Sequence, residues 1–429
     1  MSFSLGLSGR VRSNAIIKLT SEVIGRFASF ALVLWAARQL GEADFGRYNY
    51  GLALGFVLAQ LADLGFQVLL AREIATAGKA VKPLVLTALR LKLLLSLPVI
   101  LLLILATAAW PLTLRLSLLA LGLTLLLQTY LEFVAYVFRG EQRLMMEAQL
   151  LAGARLGTAV IGIIVLALGG GLLGLALAQL SSTLILAIWA LWWLRQAGWL
   201  DSLRSIVQLN RIHAAQSTRY LLVQALPIGI SIFLSIAYTR LAILILQYRL
   251  GEVAVAHFSA AYRLVEPAQI LPASLVAAAF PAFTALLRQE PEQARQMGLR
   301  VSRLLALCGV GVATAFWLSA SWLIPLLYGP QFHDSVPVLQ WLGLSVIPAF
   351  INYSLTHYLI ARGQQKVMGI LTAVMLLLHA GLSWLLIPHW GVIGPTIAII
   401  AAETVLFIGC LLTLTLTSPP KQAIQPSIW

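Results

Sequence analysis

The sequence predicts an all-α integral membrane protein, and three observations carry the prediction. Of its 429 residues 60% are hydrophobic and only 10% charged, with a mean hydropathy of +0.91, whereas roughly a quarter of the residues in a soluble chain are charged. The apolar residues fall in runs of about 20 or more, long enough to cross a hydrocarbon core of ~30 Å as helices. The runs show no period-two alternation, so a barrel is not expected, and helices satisfy their own backbone in lipid.

Twelve spans are expected, at about 14–37, 45–69, 84–109, 112–137, 146–168, 172–194, 220–247, 254–281, 300–325, 337–360, 367–388 and 391–415. Lys and Arg set their orientation. Placing both termini and the even-numbered loops in the cytoplasm collects 22 of the 29 basic residues there, among them Arg72, Lys79, Lys82, Arg90, Lys92, Arg139, Arg143 and Arg155. Arg38, Arg47, Arg115 and Arg249 fall outside, which leaves Arg26, Arg240 and Arg263 within the bilayer. The net charge of +14 is then explained by basic loops facing anionic head groups, and no nucleic-acid partner is implied. Arg10 and Arg12 precede the first span without a separate apolar segment or cleavage site, so no removable signal peptide is expected. Trp35, Trp110, Trp193, Trp322 and Trp390 suit interfacial belts. Cys308 and Cys410 lie inside spans and suggest no disulfide framework.

The chain also matches itself in three ordered blocks. Leu40-Gly41-Glu42 recurs as Leu250-Gly251-Glu252 at an offset of 210, Arg139-Gly140-Glu141-Gln142-Arg143 as Arg362-Gly363-Gln364-Gln365-Lys366 at 223, and Gly171-Leu172-Leu173-Gly174 as Gly391-Val392-Ile393-Gly394 at 220. Each match is six spans apart, so two duplicated six-helix lobes are expected. They occupy residues 1–200 and 201–429, with a basic linker at about 195–219 and a central cavity for the substrate path. Six is even, so the repeats are parallel, related by an axis along the membrane normal. The Arg-Gly-x-Gln blocks are expected to turn the chain between spans at the inner surface.

Polar residues concentrate in spans one, two, seven and eight. Lys18, Glu22 and Arg26 recur at steps of four, with Ser21, Gly25 and Ser29 widening that face. A charge at this depth is expensive, so the stripe is expected to wall a hydrophilic cavity; an ion pair of Glu22 with Arg26 between packed helices is the structural alternative. Span two places Asn49, Gln60, Asp63 and Gln67 on one face, and Asp63 could coordinate a cation or pair with a basic residue. Span seven carries Gln224, Ser231, Ser235, Tyr238 and Arg240; span eight carries Ser259, Arg263, Glu266 and Gln269, interrupted by Pro267. Glu132 and Glu403 are further carboxyls within spans. His257, His357 and His379 lack metal-ligand spacing and read as packing contacts, so no metal is expected. No phosphate loop, no His-Glu-x-x-His and no long extramembrane loop appears, so the chain does not read as an enzyme.

Several blocks resemble the Wzx-type polysaccharide flippases. They include Arg38-Gln39-Leu40-Gly41, Asp44-Phe45-Gly46-Arg47-Tyr48, Ala62-Asp63-Leu64-Gly65 and Arg72-Glu73-Ile74-Ala75 in the first half. The second half adds Tyr328-Gly329-Pro330-Gln331-Phe332, Ala361-Arg362-Gly363-Gln364-Gln365 and Ile387-Pro388-His389-Trp390-Gly391. The resemblance runs over about 14–415 and extends to the superfamily that holds MATE exporters and lipid II flippases. It implies alternating access on polyprenyl-diphosphate-linked oligosaccharide for O-antigen or lipopolysaccharide in a bacterial inner membrane. It also implies partnership with a polysaccharide polymerase and glycosyltransferases.

The physical reading agrees with that implication. A sugar-diphosphate head cannot shed its hydration in hydrocarbon, while a prenyl tail never leaves lipid. Arg26, Arg263, Arg240 and Lys18 are the expected diphosphate ligands, with Glu22, Gln60, Ser235 and Tyr238 beside the sugars. Asp63, Glu266 and Glu403 are the candidates for coupling to H+ or Na+. A MATE-like exporter of small molecules and a membrane glycan polymerase or ligase are the alternatives.

Overall fold

The computed structural model describes residues 9–200 and 211–416, with side chains for 20–200 and 217–416 except positions 288 and 291. These residues form α-helices joined by short turns, with no strand among them. In chain order they are α1 (Gly9–Asp63), α2 (Phe66–Ala77), α3 (Lys82–Ala106), α4 (Leu112–Gly140), α5 (Leu144–Ala167), α6 (Gly171–Gln196) and α7 (Arg211–Leu250). The series continues with α8 (Glu252–Val265), α9 (Ile270–Gln289), α10 (Pro291–Tyr328), α11 (Ser335–Ala361), α12 (Gln365–Trp390) and α13 (Gly394–Leu416). The side chains of Arg10, Arg12, Lys18 and Arg211 lie outside the described residues, as do Arg204 and Lys421.

Ten stretches among the described residues are long and apolar enough to cross a membrane. Two of them, Thr20–Asp63 with 44 residues and Gln365–Leu416 with 52, are long enough for two crossings each. They break at Gly41 and around Gly391, which gives the twelve crossings expected. Leu97, Leu307 and Leu377 are 64%, 71% and 72% exposed. Apolar exposure on this scale marks surfaces that meet lipid.

Backbone geometry supports the duplication. Gly41 (φ 71°, ψ 178°) and Gly251 (φ 82°, ψ −169°) share one conformation that side chains rarely adopt, 210 residues apart. Gly171 and Gly391 share φ of 59° and 54° at the expected offset of 220. The middle block corrects the letter alignment. Helices α4 and α11 end at Gly140 and Ala361, α5 and α12 start at Leu144 and Gln365, and the left-handed turn residues are Gln142 and Gly363, all at an offset of 221 rather than 223. Turn geometry, not residue identity, carries that repeat.

Packing divides the chain into two compact units. The first runs to Gly41 and resumes over Gly51–Ile236; the second holds Glu42–Tyr50 and the chain from Ala237 on. The division therefore falls inside α7, not at the 195–219 linker. In the first unit Leu221 and Ala225 of α7 are buried in one cluster with Phe66, Leu69, Leu70 and Ile74 of α2 and Phe133, Val137 and Phe138 of α4. A continuous helix of 40 residues spans about 60 Å, so its two ends can serve different cores.

In the second unit, Glu42–Tyr50 makes a reciprocal contact with the start of α8. Arg47 bridges Asp44 and Glu252, each at 2.8 Å, and His257 Nε2 lies 3.8 Å from Glu42. Glu42 and Glu252 are repeat equivalents at an offset of 210, and so are Arg47 and His257. Each acidic residue thus faces the partner of its equivalent, the pattern of a two-fold interface. Phe45, Tyr328 and Phe332 are fully buried beside it, with Phe45 meeting Phe332 edge to face at 5.6 Å.

Gly46 lets the backbones meet here, since an added Cβ would lie 1.8 Å from the Glu252 carbonyl oxygen. Gly46→Ala should therefore cost about 1–3 kcal/mol through backbone displacement. Gly311→Ala, at a helical position with nothing within 4 Å, should cost nothing. Thermal unfolding of the detergent-purified variants checks both, and equal midpoints would contradict the close approach.

Candidate functional site

The second unit brings Arg240, Arg263 and Glu266 together. Helix α8 ends at Val265 and a 3-10 turn covers Glu266–Gln269, where Pro267 removes a backbone donor. Glu266 at this break lies 3.9 Å from Arg240 Nη2 and 3.5 Å from Arg263 Nη1. Tight charge-assisted bonds run at about 2.7–2.9 Å, so one carboxylate is loosely shared by two guanidinium groups. Arg240 and Arg263 are 15% and 25% exposed and Glu266 45%. The cluster is a partly sheltered site of net charge +1. Ser235, one turn before it on α7, is exposed.

Tyr238 and Glu403 form a separate site in the same unit. Tyr238 donates its hydroxyl to Glu403 Oε1 at 3.0 Å, and Asn352 Nδ2 donates to Oε2 at 2.7 Å and to the Glu403 backbone carbonyl at 2.8 Å. The Tyr238 ring packs edge to face on His379 at 5.0 Å. Among the described residues Glu403 has no cationic partner. Asn352 Oδ1, both ring nitrogens of His379 and Ser383 Oγ are buried there without hydrogen-bond partners. Polar atoms left so are costly, and four in one region of α11 and α12 mark a polar interior. His379 was legible only as a packing residue, and Asn352 gave no signal in the sequence.

In the first unit the expected stripe of α1 splits. Gly25 faces inward, where a Cβ would meet Arg155 of α5 at 3.1 Å, and half-buried Ser29 donates to the Gly25 carbonyl within the same helix at 3.0 Å. Glu22 lines a small hollow with Ser21, Glu147 and Arg155. Arg26 is exposed, beside the exposed Val23 and Phe27, and pairs with no carboxylate among the described residues. A Glu22 to Arg26 ion pair is therefore not found. Lys18 belongs to α1, with its side chain outside the described residues.

Asp63 is claimed by a residue that the charge tally placed in the cytoplasm. Lys92 Nζ lies 2.5 Å from Asp63 Oδ1, with side chains 0% and 1% exposed. Lys92 is ten residues into α3, about 15 Å from its start, and not in the preceding loop. The Tyr130 ring lies 5.3 Å from the ammonium, and Tyr130 hydrogen-bonds Ser96 at 2.7 Å. Gln60, expected beside sugars, is buried at 8% exposure. Glu132 accepts a bond from Gln128 at 3.2 Å. Among the described residues no group of three or more His, Cys, Asp or Glu side chains could hold a metal ion.

Breaking the Asp63–Lys92 pair from one side should be severe. Asp63→Asn leaves a buried ammonium unpaired and should cost about 3–5 kcal/mol, while Asp63→Asn combined with Lys92→Met should recover most of the loss. A double-mutant cycle on the unfolding midpoint measures this, and additive losses would show that the pair does not act as one.

Comparisons with known proteins follow the same architecture. A family model described as polysaccharide biosynthesis protein matches residues 11–287. The fold is similar to an inward-facing multidrug resistance MATE family transporter of the MOP superfamily, with a TM-score of 0.71 at 17% identity over 94% of this chain and 98% of that one. It is also similar to the lipid II flippase MurJ in an inward closed conformation, with a TM-score of 0.69 at 12% identity over 93% of this chain and 87% of that one. A MOP superfamily transporter from Pyrococcus furiosus, described as having a binding pocket of reversed polarity, matches with a TM-score of 0.62 at 18% identity over 95% of each chain. No curated protein matches the sequence.

Proposed function

Because the chain belongs to the polysaccharide biosynthesis protein family, we propose that it is a flippase moving polyprenyl-diphosphate-linked oligosaccharide from the cytoplasmic to the outer leaflet by alternating access. On this reading it serves O-antigen or another surface polysaccharide in a bacterial inner membrane, between the glycosyltransferases that build the glycan and the polymerase that uses it. The lipid II flippase among the similar folds handles a lipid-linked substrate, which is in keeping with this reading.

The observation that carries the proposal is the carboxylate of Glu266 held loosely by Arg240 and Arg263. A diphosphate oxygen offers the same guanidinium groups more charge and a matching fork geometry, so it can displace the resident carboxylate. Glu266 is thus a place-holder that keeps two cations compatible with lipid when no substrate is bound. The same chemistry is assigned to Arg26, whose exposed guanidinium has no carboxylate partner among the described residues. A cationic drug would be repelled by such a site, which favours an anionic head group over a multidrug substrate.

Moving two negative charges out of a negative cytoplasm is favourable by about 4–5 kcal/mol per 100 mV, so export can run down the membrane potential. Where an ion is also used, Glu403 is the coupling carboxyl, because its partners Tyr238 and Asn352 are neutral and leave room for H+ or Na+ to act.

Arg26→Ala, Arg240→Ala and Arg263→Ala should each reduce surface glycan by at least about tenfold, the loss of one charge-assisted contact, without lowering the amount of protein in the membrane. Arg263→Lys should retain part of the activity. Glycan display in a deletion strain carrying each variant is the measurement. Normal display in all three alanine variants would refute the diphosphate role, and drug sensitivity with normal glycan would favour the exporter reading.

A further inference from the structure

In the second unit the last turns of α7 and α12 meet through an arginine and two aromatic rings. Arg249 is the next-to-last residue of α7, and Trp384 lies about 9 Å before the end of α12. Pro388 has no backbone N–H, so the Trp384 carbonyl four residues earlier has no helical donor. Arg249 Nη2 donates to that carbonyl at 3.5 Å, and its guanidinium lies 3.7 Å from the centre of the Trp384 ring. The Tyr248 ring is nearly parallel to the same indole, with centroids 5.6 Å apart and planes 21° apart. The carbonyl freed by Pro388 and the cation–π contact therefore hold the guanidinium in one place, where a long side chain at a helix end would otherwise move freely. The positions that match Arg249, Trp384 and Pro388 in the first half are Gln39, Ile164 and Leu168, so duplication does not account for the cluster.

The groups left over are donors. Arg249 pairs with no carboxylate among the described residues, and Glu252, close by in the chain, is held by Arg47 at 2.8 Å. The Trp384 indole N–H and the Tyr248 hydroxyl also have no hydrogen-bond partner among the described residues, and Tyr248 is 77% exposed. A fixed guanidinium with further N–H and O–H donors beside it fits a phosphate, which it meets with a fork of hydrogen bonds. The surface of α12 that continues from the cluster is apolar. Leu377 and Leu385 are exposed on it, and Gly381 leaves a notch between them, since an added Cβ there would meet nothing within 4 Å.

We propose that Tyr248, Arg249 and Trp384 form a head-group site for an anionic membrane phospholipid, with one acyl chain lying in the notch at Gly381. Helix ends and aromatic side chains sit at the level of the head groups, so a lipid phosphate reaches Arg249 without leaving its own layer. An anionic phosphodiester suits the site better than a head group that carries an ammonium, because that ammonium would find no free carboxylate beside Arg249. Once bound, the lipid joins the end of α7 to the end of α12 and fixes both at the depth of the phosphates. The site lies about 13 Å along α7 from Arg240, outside the arginine cluster, and does not depend on the identity of the transported substrate.

The test adds phosphatidylglycerol or phosphatidylethanolamine to the full-length, delipidated protein in detergent and reads bound lipid by native mass spectrometry. Phosphatidylglycerol should bind about fivefold more tightly, the worth of one basic residue beside an anionic head group. Arg249→Gln, at an exposed position, should weaken phosphatidylglycerol about tenfold and remove the preference. Arg115→Gln, which removes an arginine of the first unit, should change neither lipid. Gly381→Leu fills the notch without touching the donors and should weaken both lipids alike. Equal binding of the two lipids, or unchanged binding in Arg249→Gln, overturns the proposal, and unchanged binding in Gly381→Leu overturns the place given to the acyl chain. Displacement of phosphatidylglycerol by an equal concentration of farnesyl diphosphate also overturns it, because the site would then belong to a prenyl diphosphate. Loss of glycan export in the Arg26, Arg240 and Arg263 variants has no bearing on this result, so the two readings fail separately.

Discussion

The cost of holding charge in hydrocarbon governs this protein. A guanidinium or ammonium at membrane depth persists only when it meets water, an opposite charge or a ligand. The structure uses these options differently in different places. Lys92 and Asp63 are sealed together at 0% and 1% exposure. Arg240 and Arg263 share Glu266 at distances too long for a tight pair. Glu403 is held by neutral donors alone among the described residues. The closeness of the neutralising charge falls in that order.

The duplicated chain solves a second problem, the closure of one end of the second unit, by using each half of the repeat once. Glu42 and Arg47 face His257 and Glu252, and these are their own repeat equivalents in crossed order. Duplication brings such complementarity without new invention, because any contact that satisfies one copy is satisfied again by the symmetry. Gly46 permits it by removing the side chain that would separate the backbones. The block Asp44-Phe45-Gly46-Arg47-Tyr48, singled out in the sequence for its resemblance to flippases, owes its character to this contact. Asp44 and Arg47 are bonded to each other, Phe45 is buried, and Gly46 lies under Glu252.

Much of the fold was legible because lipid imposes a length and a polarity on every span. The twelve crossings follow from that constraint and the repeat from three ordered blocks of sequence, with Gly41 and Gly251 matching in their dihedral angles. The sites were less legible, for physical reasons. Lys92 follows Arg90 closely and was counted with the inner loop, yet α3 carries it about 15 Å in, where only Asp63 makes it tolerable. Sequence spacing put Gln60 and Asp63 on one face but could not say that this face turns inward. Arg26 and Gly25 are neighbours, and one faces out while the other packs on Arg155. Helical periodicity gives the faces of a membrane helix, but in a chain with so few polar residues it does not say which of two polar faces is buried.

The division inside α7 connects these points. The helix contributes Leu221 and Ala225 to the core of the first unit, while Tyr238 and Arg240 belong to the second. Residues of α7 in the second unit reach Glu403 and Glu266: Tyr238 bonds the first and Arg240 lies 3.9 Å from the second. One helix thus supplies apolar side chains to the core of the first unit and polar side chains beside both carboxyls of the second.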